Sequence, residues 1–263
     1  MLGRRLATAA VGIPVAVVTV WAGGWPMAVV AGVVVAVGAW EFYALSQRAG
    51  YSPAWPLGTL GAAAMPITAL WGGSRWTLGT LALVVLVSLA GELLARRGRV
   101  LAGAAGTALG TVYVGLFGAH WVLLRQLPEG MAVTFLVLTS TWCADSGAYF
   151  VGRWLGRRKL APELSPNKTV EGAVGGLFGG LVGAAAAGAY FGLPPAWVVA
   201  GGLVCALSGQ LGDLWESAIK REARAKDSGS VLPGHGGVLD RFDGLLFSGV
   251  AAYYLFAAWT GGL

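Results

Sequence analysis

Charge is scarce in this sequence. Of its 263 residues, 11% are Asp, Glu, Lys or Arg and 56% are apolar, against about 25% charged in ordinary soluble domains. So few charges exclude a soluble domain, whose surface they could not cover, and make lipid the solvent of much of the chain. Cysteine and histidine are scarcer still, at two each. Cys143 and Cys205 sit in apolar runs with no Cys-x-x-Cys or Cys/His spacing, which argues against a zinc site and a disulfide and leaves buried packing thiols. A polar region after the first apolar run is also missing. Arg4 and Arg5 precede a run starting at Thr8, in the manner of a signal peptide, but another apolar run begins at Pro26. The first run is therefore expected to stay in place as a membrane helix.

What is present is a series of apolar runs, each near the ~20 residues that a spanning helix needs. Nine are expected, at about 7–23, 26–45, 55–73, 76–95, 100–124, 131–150, 172–192, 196–216 and 244–262. Helices are required because backbone groups in lipid must be satisfied within their own segment. The fold expected is thus an all-α polytopic membrane protein with about nine transmembrane helices. The basic residues orient it. With nine spans, 16 of the 18 Lys and Arg residues fall on the side of the N-terminus, and only Arg75 and Arg125 fall on the other. That asymmetry places the N-terminus in the cytoplasm. It also explains the formal net charge of +6 through the membrane and anionic headgroups, so no nucleic-acid partner is expected.

Two connections are long enough to build a site, the cytoplasmic loops 151–171 and 217–243. Residues 1–130 read as scaffold helices, and residues 131–263, with both loops, as the catalytic region. Gly172, Gly176 and Gly180 recur every four residues, as do Gly175, Gly179 and Gly183. Small residues at this spacing let helix backbones approach closely, within the bundle or across a dimer seam.

Acids near the membrane are the next signal, since a charge at a helix centre costs about 2.5–3.5 kcal/mol on insertion scales. Glu41 and Glu92 lie close to Arg48 and to Arg96 and Arg97, and are expected to form helix-end ion pairs in reach of water. Asp145 lies in a polar stretch, Thr139 to Gly147, whose hydroxyls are expected to bond its carboxylate or cradle a ligand. Asp213, Glu216, Ser217 and Lys220 fall on one helical stripe, and Asp240 and Asp243 are three apart at the start of the last span. A turn, Pro233-Gly234-His235-Gly236-Gly237, lies between and can fold one helix end onto the other. Converging carboxylates call for a cation, and oxygen ligands suit Mg²⁺. The same loop supplies Lys220, Arg221, Arg224, Lys226 and Arg241. Acids for a metal beside bases for phosphate is the arrangement of phosphoryl and nucleotidyl transfer; a solvated charge run is the alternative. His235 is expected to position a ligand or the turn, and His120 to be a buried, hydrogen-bonded histidine.

These residues resemble the phosphatidate cytidylyltransferase, or CDP-diglyceride synthase, family. The resemblance is carried by Ser217-Ala218-Ile219-Lys220-Arg221, Lys226-Asp227, His235-Gly236-Gly237 and Asp240-Arg241-Phe242-Asp243, and upstream by Asp145 to Phe150, Gly152-Arg153 and Ser165 to Gly172. Ser146 and Asn167 stand where members often have Thr and Lys. About residues 140–263 are covered; the first half matches only in having many spans. The resemblance implies transfer of CMP from CTP to phosphatidic acid in a bacterial inner membrane, with Mg²⁺ at Asp213 and Asp240, a K⁺ ion beside it, and a homodimer. It makes Asp145, Lys220, Lys226 and Asp243 further catalytic candidates. Lys168, Ser217, Arg221, His235, Gly236, Gly237 and Arg241 become candidates for binding CTP, phosphatidic acid or both. A carrier is the competing class, but it calls for acids at the midplane and matching halves. A related lipid kinase or ether-lipid enzyme differs only in substrate.

Overall fold

The computed structural model describes residues 2–95, 100–232 and 236–261. Arg96, Arg97 and His235 lie outside the described residues, as do the expectations made for them. The helices are α1 (Leu2–Ala22), α2 (Gly24–Arg48), α3 (Trp55–Ala95), α4 (Val100–Gly110), a π-helical turn (Thr111–Leu116), α5 (Phe117–Gln126), α6 (Gly130–Leu155), α7 (Val170–Phe191), α8 (Pro195–Glu222) and α9 (Leu239–Thr260). Loop 151–171 adds what the apolar runs did not foretell, an antiparallel hairpin of β1 (Lys159–Ala161) and β2 (Ser165–Thr169).

Each predicted span falls on a helix over nearly all of its described residues. Among the described residues six helices are long and apolar enough to cross a membrane, at Gly24–Arg48, Trp55–Leu94, Val100–Gln126, Val170–Phe191, Pro195–Glu222 and Leu239–Thr260. The 40-residue stretch Trp55–Leu94 holds two predicted spans, separated by a break at Gly72 and Gly73. Gly73 has φ 61°, a left-handed backbone that a side chain would strain. Large apolar side chains cover the outside: Leu60, Leu94, Leu101 and Tyr190 are all more than 70% exposed. Apolar surface on that scale belongs against lipid.

Two compact units divide the chain. The first comprises 1–123 and 219–242, and the second 124–218 and 243–263, so α8 and α9 each contribute to both. Inside the first unit, α2 packs against α3 and α4. The buried Tyr43 hydroxyl donates to the Thr107 carbonyl (2.8 Å) and lies 3.0 Å from Thr111 Oγ1, and a side chain at Gly110 would overlap the Phe42 and Tyr43 rings. His120 is buried, with Nδ1 2.7 Å from the Leu116 carbonyl, as expected.

Glycine governs the second unit. A side chain at Gly179 would meet the Cys143 carbonyl, and one at Gly183 the Thr139 carbonyl, so α6 and α7 approach backbone to backbone. On the other glycine row, Gly180 faces Ala206 and Gly202 of α8. Both rows are therefore used within one chain. The Thr139 hydroxyl donates to the Gly183 carbonyl (3.0 Å) and the Ser140 hydroxyl to the Gly202 carbonyl (3.3 Å). These hydroxyls tie α6 to α7 and α8 rather than bonding Asp145, because a carbonyl opposite a glycine is within their short reach. Overpacking at a backbone contact typically costs about 1–3 kcal/mol, so Gly179→Ala and Gly183→Ala should lower the thermal unfolding midpoint in detergent. Gly91→Ala, at an exposed position of α3 where a methyl group meets nothing, should leave it unchanged or raise it, since Ala is the better helix former by about 1 kcal/mol.

Candidate functional site

In the first unit the segment from the end of α8 to the start of α9 is built around two carboxylates. Arg224 turns the chain out of α8 with φ 50°, and its N–H donates to the Arg221 carbonyl (3.0 Å). The loop returns through a bridge in which the Leu232 N–H donates to the Gly236 carbonyl (3.0 Å). Gly236 has φ 81° and so needs glycine for its backbone. Gly237 needs it for space: a side chain there would overlap the Ser228 hydroxyl and the Glu41 carboxylate. The two glycines of the signature thus have two different physical causes.

Asp240 opens α9 and its side chain is 7% exposed. Oδ1 accepts from Lys220 Nζ at 2.7 Å. Oδ2 accepts from the Ser228 N–H (2.8 Å), the Gly237 N–H (2.8 Å) and the Ser228 hydroxyl (3.0 Å). Hydrogen bonds to a charged group are each worth about 1.5–3 kcal/mol, which is how the carboxylate is kept this far from water. Lys220 and Asp240, chosen from sequence as members of two facing stripes, are thus brought together.

Glu41 is where the expectation fails. It does not reach water beside Arg48; it is 1% exposed. Its Oε1 accepts from the Val238 N–H (3.0 Å), and its Oε2 from the Leu239 N–H (2.8 Å) and the Ser228 hydroxyl (3.0 Å). A helix start has backbone N–H groups with no partner inside the helix, and here a carboxylate from α2 accepts from two of them. Glu41 and Ser228 are the residues that charge-pattern reasoning missed. The available signals were an acid inside an apolar span and the turn-forming Asp227-Ser228-Gly229 beside the signature.

In the second unit the β-hairpin positions Lys168. The Glu171 carboxylate accepts from the N–H groups of Arg157 and Arg158 (3.0 and 3.1 Å), and the Thr169 hydroxyl caps α7 by accepting from the Gly172 N–H (3.0 Å). Lys168, one residue before the cap, forms an ion pair with Asp213 of α8 at 2.6 Å. The Asp213 side chain is 44% exposed. Asp145 is exposed on α6, Ser217 is half-buried on α8, and Arg221, Lys226 and Arg241 are exposed. Asp243 Oδ1 accepts from the Gly244 N–H (2.7 Å), while its carbonyl lies against Gly212 of α8.

Among the described residues no three His, Cys, Asp or Glu side chains gather as a metal cluster. Mg²⁺ does not require one, since it is usually bound by one or two carboxylates with waters and substrate phosphates. Asp213 and Asp240 suit it in kind. Each is a hard oxygen donor, and each already holds a cation, the ammonium of Lys168 or Lys220, at 2.6 or 2.7 Å.

Residues 3–259 match the model of the cytidylyltransferase family. The chain is 41% identical over 155 residues to a protein named phosphatidate cytidylyltransferase from Bacillus subtilis, a match covering 58% of each chain. Proteins of the same name from Synechocystis and Brucella suis are 38% and 40% identical, over 53% and 57% of this chain and 48% and 56% of their own. The matched region thus spans about half of each of these curated relatives. Because the family model covers nearly the whole sequence, the chain belongs to the cytidylyltransferase family.

Proposed function

We propose that this protein transfers CMP from CTP to phosphatidic acid, giving CDP-diacylglycerol and pyrophosphate. The observation that carries the reading is the pair of lysine–aspartate contacts, Lys168–Asp213 in one unit and Lys220–Asp240 in the other, the latter in a segment that also holds exposed Arg221, Lys226 and Arg241. Cation-seeking carboxylates and phosphate-seeking bases alternate in the segments that match the family signature. The names of the relatives supply the substrates.

An oxygen of the lipid phosphate attacks the α-phosphorus of CTP. The bond from that phosphorus to the bridging oxygen breaks, and pyrophosphate leaves with the electron pair. The attacking group is already an anion, so no side chain has to remove a proton. Lys168, Lys220, Arg221, Lys226 and Arg241 bind phosphate oxygens and offset their charge. Asp213 and Asp240 would be the residues that hold Mg²⁺, and Lys168 and Lys220, their present partners, would bind the phosphates. The bound ion supplies charge neutralisation at the phosphate oxygens. Gly236 and Gly237 keep the loop thin enough for a nucleotide to approach its backbone. Ser217 and His235 position substrate, Asp145 and Asp243 support the metal site, and K⁺ accompanies Mg²⁺.

The finer topology belongs to the same proposal: nine spans, the N-terminus in the cytoplasm, and loops 151–171 and 217–243 on the cytoplasmic face of a bacterial inner membrane, where soluble CTP and the lipid meet. Residues 131–263 are the catalytic region on the scaffold 1–130, and the protein is a homodimer.

Purified protein given labelled CTP, phosphatidic acid and Mg²⁺ should form lipid-linked cytidylate, with almost none from Asp213→Ala or Asp240→Ala; full activity in both variants refutes the metal assignment. Loss of one charge-assisted phosphate contact is worth about 1.5–3 kcal/mol. Lys168→Ala should accordingly lower kcat/KM for CTP by roughly 10- to 100-fold, and an unchanged value removes Lys168 from phosphate binding. For topology, single cysteines at Arg75 and Arg157, with Cys143 and Cys205 replaced, should react with an impermeant maleimide from opposite sides of the membrane. Labelling of both from one side contradicts the orientation.

A further inference from the structure

The buried Glu41 carboxylate has no place in the transfer chemistry, yet it is bonded to the loop that carries that chemistry, 187 to 198 residues away in sequence. Three observations set what it does. First, it takes the N–H groups of Val238 and Leu239, while the Gly237 N–H goes to Asp240. The free donors at the start of α9 are thus divided between two carboxylates. Second, the Ser228 hydroxyl lies 3.0 Å from Glu41 Oε2 and 3.0 Å from Asp240 Oδ2. It has one hydrogen to give, so the two carboxylates are linked through a single donor. Third, Gly229 and Gly237 both press on the Glu41 carboxylate, where a side chain on either would overlap it. The loop is therefore moulded to this acid rather than merely near it.

We propose that Glu41 is a positioning residue for nucleotidyl transfer: by fixing the first turn of α9 and the Ser228 hydroxyl, it sets the orientation of Asp240, so that Oδ2 stays with the loop amides and Oδ1 is turned to a cation. This rests on the reading of the site given above. It assigns to the N-terminal half of the chain a part in the reaction that the signature segments alone do not contain. The three residues before Asp240 all have their N–H groups bonded, Gly237 to Asp240 itself and Val238 and Leu239 to Glu41, which leaves Asp240 little freedom. A glutamine at 41 keeps the size but turns an NH₂ group toward N–H and O–H donors, whichever way its amide faces.

The test uses full-length protein in lipid nanodiscs, with Glu41→Gln, Glu41→Asp, Ser228→Ala and the double variant of Glu41→Gln with Ser228→Ala. Three quantities are read on folded material: kcat and KM for CTP, the affinity for Mn²⁺ by spin-resonance titration as a probe of the metal site, and the thermal midpoint. Glu41→Gln should lower kcat by about tenfold or more while KM for CTP stays within about twofold, and should weaken Mn²⁺ binding by a similar factor. Glu41→Asp should restore part of both. The double variant should be no worse than the worse single variant, because both act through Asp240. A cap with a structural role alone would lower the thermal midpoint and leave kcat and Mn²⁺ affinity of the folded protein at wild-type values, and that result overturns the proposal. Full addition of the two single losses also overturns it. If Glu41→Gln does not fold, Ser228→Ala decides: unchanged kcat and Mn²⁺ affinity count against the proposal, and a matching loss supports it. Should the wild-type protein transfer no cytidylate, the functional reading fails on its own. Glu41 is then judged by Mn²⁺ affinity, where equal values for wild type and Glu41→Gln overturn its role.

Discussion

A carboxylate removed from water must be met by donors or by a cation, and much of this structure follows from meeting that demand at Asp240. One oxygen takes an ammonium and the other takes two backbone N–H groups and a hydroxyl. Those bonds fix where Lys220 lies at the end of α8, how the loop after it returns, and where α9 begins. Glycine at 237 follows because nothing larger fits between Ser228 and Glu41. The second aspartate, Asp213, keeps 44% of its side chain exposed and takes one lysine, delivered by a hairpin.

The helical part of the fold was legible because lipid enforces a simple rule. A segment of about 20 apolar residues has to satisfy its own backbone, and each such segment is a helix here. The hairpin was not legible, since Lys159–Ala161 and Ser165–Thr169 carry no alternation of apolar and polar residues and are held by Glu171 and Thr169 at their base. Asp213, Lys220 and Asp240 could be chosen from charge pattern because their partners are other charges, whereas Lys168 came from the resemblance. Glu41 could not be placed in this way. Its partners are two backbone N–H groups and a serine, and a reading of side-chain charge sees neither backbone donors nor a contact 198 residues distant. Thr139 and Ser140, two of the hydroxyls before Asp145, are engaged elsewhere, because glycines on α7 and α8 bring carbonyls within their reach.

The functional reading follows from the same physics. A lysine on an aspartate is a stored arrangement of two charges, each suited to a different part of a nucleoside triphosphate with its metal. Exchange of the ammonium for a divalent ion would let both groups act without a large movement of the backbone. The small residues along α6, α7 and α8 hold the second unit's helices at backbone distance, giving Lys168 and Asp213 a stiff frame.

The most direct measurement is an experimental structure of the protein in lipid with Mg²⁺ and a non-hydrolysable CTP analogue. Mg²⁺ is expected about 2.0–2.1 Å from an oxygen of Asp213 or of Asp240, with the lysine of that pair moved onto a phosphate oxygen. Nucleotide bound while both lysines remain on their aspartates, with no cation at either carboxylate, would contradict it.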